Sequence, residues 1–136
     1  MPMPSVAMHR RVEWIDTDAS GYWHNTAPIR YVEEAELRLL EALELVGELY
    51  GHLPRAHLTI DYIRPMHFHD MVTVTLAVRT VGVSSVTYSF ILDDISGTPV
   101  AIGEVVAVRI DGEGEPSEWT EKQKRLLRAG YTPDEP

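Results

Sequence analysis

The chain has 136 residues, 44% of them apolar and 24% charged, which fits one ordinary domain and neither a disordered nor a collagen-like class. Its lack of cysteine excludes a disulfide scaffold, a thiol nucleophile, a cysteine zinc site and an iron–sulfur cluster. Twelve Lys and Arg against twenty-one Asp and Glu give a formal charge of −9, which argues against nucleic acid or a membrane as partner. No apolar run approaches the length of a membrane span and Met1 to Trp14 holds no signal-peptide core, so the expected location is the cytoplasm.

In chain order, the first extended segment runs from Ala7 to Trp14. Asp16 to Gly21 follow as a loop of turn-forming residues without apolar periodicity. A long helix is predicted from about Thr26 to Tyr50, with Asn25 or Thr26 as cap and Pro28 in the first turn, where its missing N–H costs nothing. Val32, Ala35, Leu39, Leu43 and Val46 recur at helical spacing as its buried face, and Gly47 and Gly51 weaken its end. Glu36 falls inside that apolar stripe, facing an interface or snorkelling to solvent at its edge.

Beyond Pro54 the period shortens to two. Strands are predicted over residues 57–63, 71–79, 86–92 and 100–110, with short hairpin connections at 82–85 and 93–97. Gly103, in the last strand, leaves room for a close approach to the backbone. An amphipathic helix from about Ser117 to Arg128 and a polar tail over 131–136 complete the order. This is an α+β architecture, one long central helix against an antiparallel sheet of about five strands. One helix cannot cover both faces of such a sheet, and an uncovered apolar face implies a partner subunit.

Asp16 to Asn25 hold the densest polar constellation, with two carboxylates, a histidine and an amide within ten residues. A purely local reading makes Asp16 and Asp18 turn residues, Gly21 a positive-φ position and Asn25 the helix cap. A chemical reading uses the same geometry. The first N–H groups of a helix lack intrahelical partners and carry the positive end of its dipole, so a carbonyl oxygen placed there is polarised. Asp18 is then positioned to attack the carbonyl or to activate water, the Asn25 N–H polarises the oxygen, and His24 donates a further hydrogen bond or orients the leaving group. Among other clusters, His67 and His69 have a spacing found in zinc sites but need a third ligand such as His57, and a polar strand entrance describes them better. Ser84 and Ser85 lie in no Gly-x-Ser-x-Gly elbow, so a serine triad is unsupported.

Asp16-Thr17-Asp18-Ala19-Ser20-Gly21, then His24-Asn25 and Tyr31-Val32-Glu33-Glu34-Ala35, resembles the loop and helix of hotdog-fold acyl-CoA thioesterases of the 4-hydroxybenzoyl-CoA thioesterase type. Asp61-Tyr62-Ile63-Arg64-Pro65, Asp70 opening a strand and Val83-Ser84-Ser85 at the next hairpin agree, so the resemblance spans about residues 8–111. It implies a single hotdog domain over 1–130, the sheet wrapped round the helix, and a homodimer with one continuous sheet, itself paired as a dimer of dimers, with active sites at the dimer interface. The implied activity is hydrolysis of an acyl-CoA or acyl-carrier-protein thioester to an acid and a free thiol, with no cofactor and no metal. Asp18 becomes nucleophile or general base and Asn25 the carbonyl-polarising N–H, with Tyr22, Trp23, Glu33, Tyr62, Arg64, Ser84 and Ser85 as substrate-binding residues. Two departures matter. The family's usual Tyr or His near the helix start is replaced by His24-Asn25, and the basic cluster some members carry at the hairpin matching Gly82 to Ser85 is missing. Arg64, Arg79, Lys122, Lys124, Arg125 and Arg128 are the remaining cations for a CoA nucleotide, the last four reading better as a solvated helix face. The same fold also hosts enoyl-thioester hydratases and dehydratases, whose Gly-Asp-x-Asn-Pro-x-His signature is absent here, and non-catalytic acyl-CoA-binding modules.

Overall fold

Alternating apolar residues pleat into a five-stranded antiparallel sheet in the computed structural model, which describes residues 3–130. The strands are β1 (Ser5–Arg11), β2 (Arg55–Tyr62), β3 (Met71–Val81), β4 (Ser85–Asp93) and β5 (Pro99–Val108), in the order β1-β3-β4-β5-β2. The even-numbered residues Val72 to Val78 and Val86 to Leu92 bury one face of the sheet. Helix α1 (Ala27–Ala42) lies on that face against β1 and β3, contributing Tyr31, Val32, Ala35 and Leu39 to the core. A short α2 (Val46–Leu49) and α3 (Glu121–Ala129) complete the order. Among the described residues no helix is long and apolar enough to cross a membrane. The polar tail expected over 131–136 lies outside the described residues.

The single helix expected from Thr26 to Tyr50 is two helices. The chain turns at Glu44, whose φ is 57°. There Leu45 N–H donates to Leu40 C=O and Glu44 N–H to Glu41 C=O, the paired bonds of a Schellman cap. Glycine is usual at that left-handed position, so a glutamate there gives the sequence no stop signal. The turn re-aims Leu45, which the helical period places among the polar residues, into the core. At the other end of the fold α3 starts at Glu121 rather than near Ser117, because Thr120 and Gln123 form a capping box. Strand β1 stops at Arg11, and Trp14–Asp16 form a 3-10 turn instead of continuing it.

The sheet's uncovered face is mixed: Ile91 and Ile102, register partners there, are exposed apolar residues, but polar groups lie among them. Thr73, Thr75, Thr87, Ser89 and Glu104 alternate with the core residues and stud that face with polar groups. The open feature is β2, which pairs only with β5 and leaves all of its residues exposed except half-buried Ile60.

Gly103 meets the close approach its position suggested. A Cβ there would collide with the Thr59 carbonyl oxygen of β2 and come within 2.6 Å of the Phe90 ring. Gly103→Ala is expected to destabilise the protein by about 1–3 kcal/mol through overpacking, read from urea unfolding midpoints. An unchanged midpoint would contradict this packing of β2 on β5.

Candidate functional site

The loop feeding α1 is fastened at both ends by short-range physics. Asp18 N–H donates to Tyr22 C=O at 3.1 Å and Gly21 N–H to Asp18 C=O at 3.0 Å, with Gly21 at φ 85° closing the turn. The Asp18 carboxylate accepts the Ser20 N–H at 2.8 Å and the Ser20 hydroxyl at 2.5 Å, an Asx turn. Those hydrogen bonds from Ser20 hold the exposed Asp18 carboxyl below the ordinary aspartate value.

Asp16 plays a different part from the turn role considered for it. It is 1% exposed, and its carboxylate accepts from Arg30 at 2.8 Å, from the Tyr31 hydroxyl at 2.7 Å and from the Glu13 N–H at 2.9 Å. Its carbonyl takes the His24 N–H at 2.6 Å. One residue thus ties the start of the loop to α1 and to the loop's own exit. Tyr31 is enclosed in turn, with the Arg10 guanidinium 4.8 Å above its ring. Burial first, then the Asp16 hydrogen bond, raises its phenol pKa far above the usual range.

At the mouth of α1, Thr26 occupies the cap position without capping through its side chain. Its hydroxyl lies 2.8 Å from His24 Nδ1, which also accepts the Thr26 N–H at 3.2 Å. An accepting Nδ1 leaves Nε2 as the protonated nitrogen of the neutral ring, a donor not used by the helix. The Asn25 N–H has no hydrogen-bond partner among the described residues. The Tyr62 hydroxyl donates to the Asn25 carbonyl and braces this turn against the end of β2.

A cavity of about 320 Å³ opens at this point, bounded by Asp18, Trp23, His24, Asn25, Tyr62 and Arg64, with Ile63 and Pro65 on its wall. Six of the ten residues singled out from the sequence therefore share one cleft. Arg64 pairs with Asp94 while remaining half exposed at the rim. Asp94 has a strongly lowered carboxyl pKa, caused first by the Ser96 hydroxyl and then by the Thr98 N–H. The other four residues lie elsewhere in the single chain. Tyr22 turns away from the cavity and packs on His67, their rings 4.3 Å apart. Glu33 opens onto a second cavity farther along α1. Ser85 begins β4 with Ser84 in the turn before it, and the register Ser85↔Val108 places them at the opposite end of the sheet from Tyr62↔Ala101. Among the described residues no group of three His, Cys, Asp or Glu side chains is arranged to hold a metal ion.

Residues 12–127 match the family described as the thioesterase-like superfamily. The chain belongs to that superfamily. It is a thioester hydrolase, and its antiparallel five-stranded sheet with few helices is a hotdog-like fold. The uncharacterized protein YsmA of Bacillus subtilis strain 168 is 27% identical over 118 residues, which cover 85% of this thioesterase and 80% of YsmA. A thioesterase from Thermus thermophilus, solved with coenzyme A and Zn, superposes with a TM-score of 0.81 at 27% identity, covering 93% of this chain and 99% of that one. Slr0204, a 1,4-dihydroxy-2-naphthoyl-CoA thioesterase from Synechocystis, shares the fold at a TM-score of 0.78 and 20% identity, over 90% of this chain and 95% of its own.

Sequence reasoning missed the part Asp16, Arg30 and Tyr31 play together in this thioesterase. Their link is a contact between a loop and a helix face, and nothing in the spacing of the three residues announces it.

Proposed function

We propose that this thioesterase hydrolyses an acyl-CoA, with Asp18 as nucleophile or general base and the Asn25 N–H polarising the thioester carbonyl. The observation that carries the reading is the shared cleft: a carboxylate, an unpartnered N–H at the mouth of α1 and a free imidazole donor bound the same cavity. With Asp18 as general base, it takes a proton from water, the hydroxide adds to the carbonyl carbon, and the oxyanion rests on the Asn25 N–H. Collapse breaks the C–S bond, the thiolate takes up the proton, and acid and thiol leave. With Asp18 as nucleophile, a mixed anhydride forms first and water cleaves it to the same products.

The CoA-complexed Thermus neighbour supports coenzyme A as the carrier. Arg64, on the cavity rim, is the cation placed to meet the carrier's polar end. The open edge of β2 supports pairing with a second copy into one continuous sheet. Antiparallel pairing about a two-fold axis brings the partner's β4 turn, with Ser84 and Ser85 of the partner subunit, toward this chain's Tyr62, which accounts for their distance from the cleft within one chain.

A thiol-release assay over short, long, branched and aromatic acyl-CoAs, run beside matched acyl-carrier-protein thioesters, tests the proposal. Release of free CoA at a rate above the uncatalysed background is expected for at least one acyl-CoA. Hydrolysis confined to carrier-protein thioesters would overturn the choice of carrier.

A further inference from the structure

The imidazole of His24 bounds the cleft, yet its orientation is set from outside it. The main chain of His24 is held on both sides, its N–H by the Asp16 carbonyl at 2.6 Å and its carbonyl by the Ala27 N–H at 2.9 Å. That leaves the ring its two side-chain torsions. The residue is exposed, so packing does not fix them. Thr26 does: its hydroxyl lies 2.8 Å and its N–H 3.2 Å from the same ring nitrogen, Nδ1. These are the ring's hydrogen bonds among the described residues.

Thr26 forgoes a helix cap to make this contact. At the cap position of α1 a threonine oxygen usually accepts an N–H of the first turn, and here it makes no such bond. Pro28, the second helical residue, lacks one of the two N–H groups a cap can use, but the Ile29 N–H is the other. The hydroxyl turns to His24 instead. A threonine serving the helix alone has no reason for that choice.

The same two contacts decide where the ring's proton sits. The Thr26 N–H is a donor built into the backbone, so Nδ1 accepts and the neutral ring carries its proton on Nε2. The opposite tautomer would set two N–H groups face to face. The hydroxyl, free to rotate, follows as a second donor to Nδ1.

The leaving group indicates what that proton is for. An ordinary thiol has a pKa of about 8.5, so a thiolate departs without an acid at sulfur. The carbonyl oxygen, gaining charge as water or a carboxylate adds, takes more than one donor, and the Asn25 N–H is only one. His24 immediately precedes Asn25 and bounds the same cavity.

Resting on the acyl-CoA reading, we propose that the His24 Nε2–H is the second donor to the oxyanion and that Thr26 is the positioning residue that holds the ring and its proton for this task. Thr26 does not bound the cleft, so it acts through His24 and not on the substrate. The imidazole proton stays on Nε2 throughout, while the proton taken from water passes by way of Asp18 to the departing thiolate.

Four variants, assayed on the best thioester found, test this. His24→Ala should lower kcat by about 10²- to 10³-fold, the usual loss for one oxyanion donor. Thr26→Val keeps the side chain's shape and the N–H but removes the hydroxyl. It should lower kcat by about 3- to 10-fold with KM nearly unchanged, and Thr26→Ser should recover most of that loss. Thr26→Val added to His24→Ala should cost nothing further, because no ring is left to hold. An equal cost in both backgrounds, or wild-type kcat in Thr26→Val, overturns the inference.

A second arm does not depend on turnover. Nitrogen-15 chemical shifts of the histidine rings at about pH 8.5, where an ordinary imidazole is neutral, report which nitrogen carries the proton, the His24 signal being the one missing from His24→Ala. The Nε2–H form is expected, and the Nδ1–H form or an even mixture overturns the inference whatever the kinetics. The acyl-CoA reading fails separately. The same variant pattern and tautomer in a protein that cleaves only carrier-protein thioesters would sustain the parts given to His24 and Thr26 while removing coenzyme A as the carrier.

Discussion

Asp18→Asn is expected to lower kcat for thiol release by about 10²- to 10⁴-fold, the usual range for loss of a general base, with KM nearly unchanged. The substitution is a clean one. Asparagine keeps the oxygen that accepts the Ser20 N–H at 2.8 Å and the Ser20 hydroxyl, so the Asx turn survives. Only the charge and its basicity are lost. Because Asp18 is exposed, its contribution to global stability is small, and thermal unfolding should move little. Steady-state kinetics on the best acyl-CoA, run beside a melting curve, check both halves. Wild-type kcat in the variant would remove Asp18 from the reaction.

The pH dependence follows from the sign of the shift. Hydrogen bonds from Ser20 lower the Asp18 pKa, so the working carboxylate persists to more acid pH than an ordinary aspartate. The limb of kcat/KM that reports this group should lie below about pH 4. Stability has the same direction. Glu48, Asp94 and Asp111 are also depressed, Glu48 chiefly by Lys122 and Asp111 by backbone N–H groups of Glu115 and Glu113. A carboxyl whose folded pKa lies below its unfolded one stabilises the fold above the unfolded value and loses that effect as pH falls through the folded one. Stability should therefore decline as pH falls below the ordinary range of these carboxyls, 3.8 for Asp94 and Asp111 and 4.5 for Glu48.

The strands were legible because their alternation has one solution. The even positions of β3 and β4 must face a core, and one residue of slip would expose all of them. The loop at Asp18 was legible for a different reason, since turn residues ahead of an amphipathic helix locate its mouth whatever the rest of the chain does. The helix break was not, because Glu44 adopts a left-handed conformation usually signalled by glycine. Glu36 was visible as an anomaly within the apolar stripe, but its partner Arg55 arrives from a strand nineteen residues later in sequence. Local pattern carries element and face, and long-range pairs of polar groups escape it.

Asp16→Ala should give the larger stability effect of the two loop aspartates, about 2–4 kcal/mol, or roughly 10 °C in melting temperature for a chain of this size. The substitution removes acceptors from Arg30, Tyr31 and the Glu13 N–H at once. Arg30 is nearly half exposed and can turn to water, so its share is modest. Tyr31 is fully buried and cannot, which leaves its hydroxyl orphaned in the core. Asp16→Asn, which keeps an oxygen for Tyr31 or Glu13 but loses the ion pair, should fall between wild type and Asp16→Ala. Two carboxylates separated by a single residue thus yield opposite signatures: one lost at Asp18 slows turnover in a protein that melts normally, and one lost at Asp16 softens the protein. If Asp16→Asn instead melted like wild type yet lost turnover, while Asp18→Asn stayed active, the reacting carboxylate would be Asp16. The cleft would then have to open toward the Arg30 side of α1 for substrate to reach it.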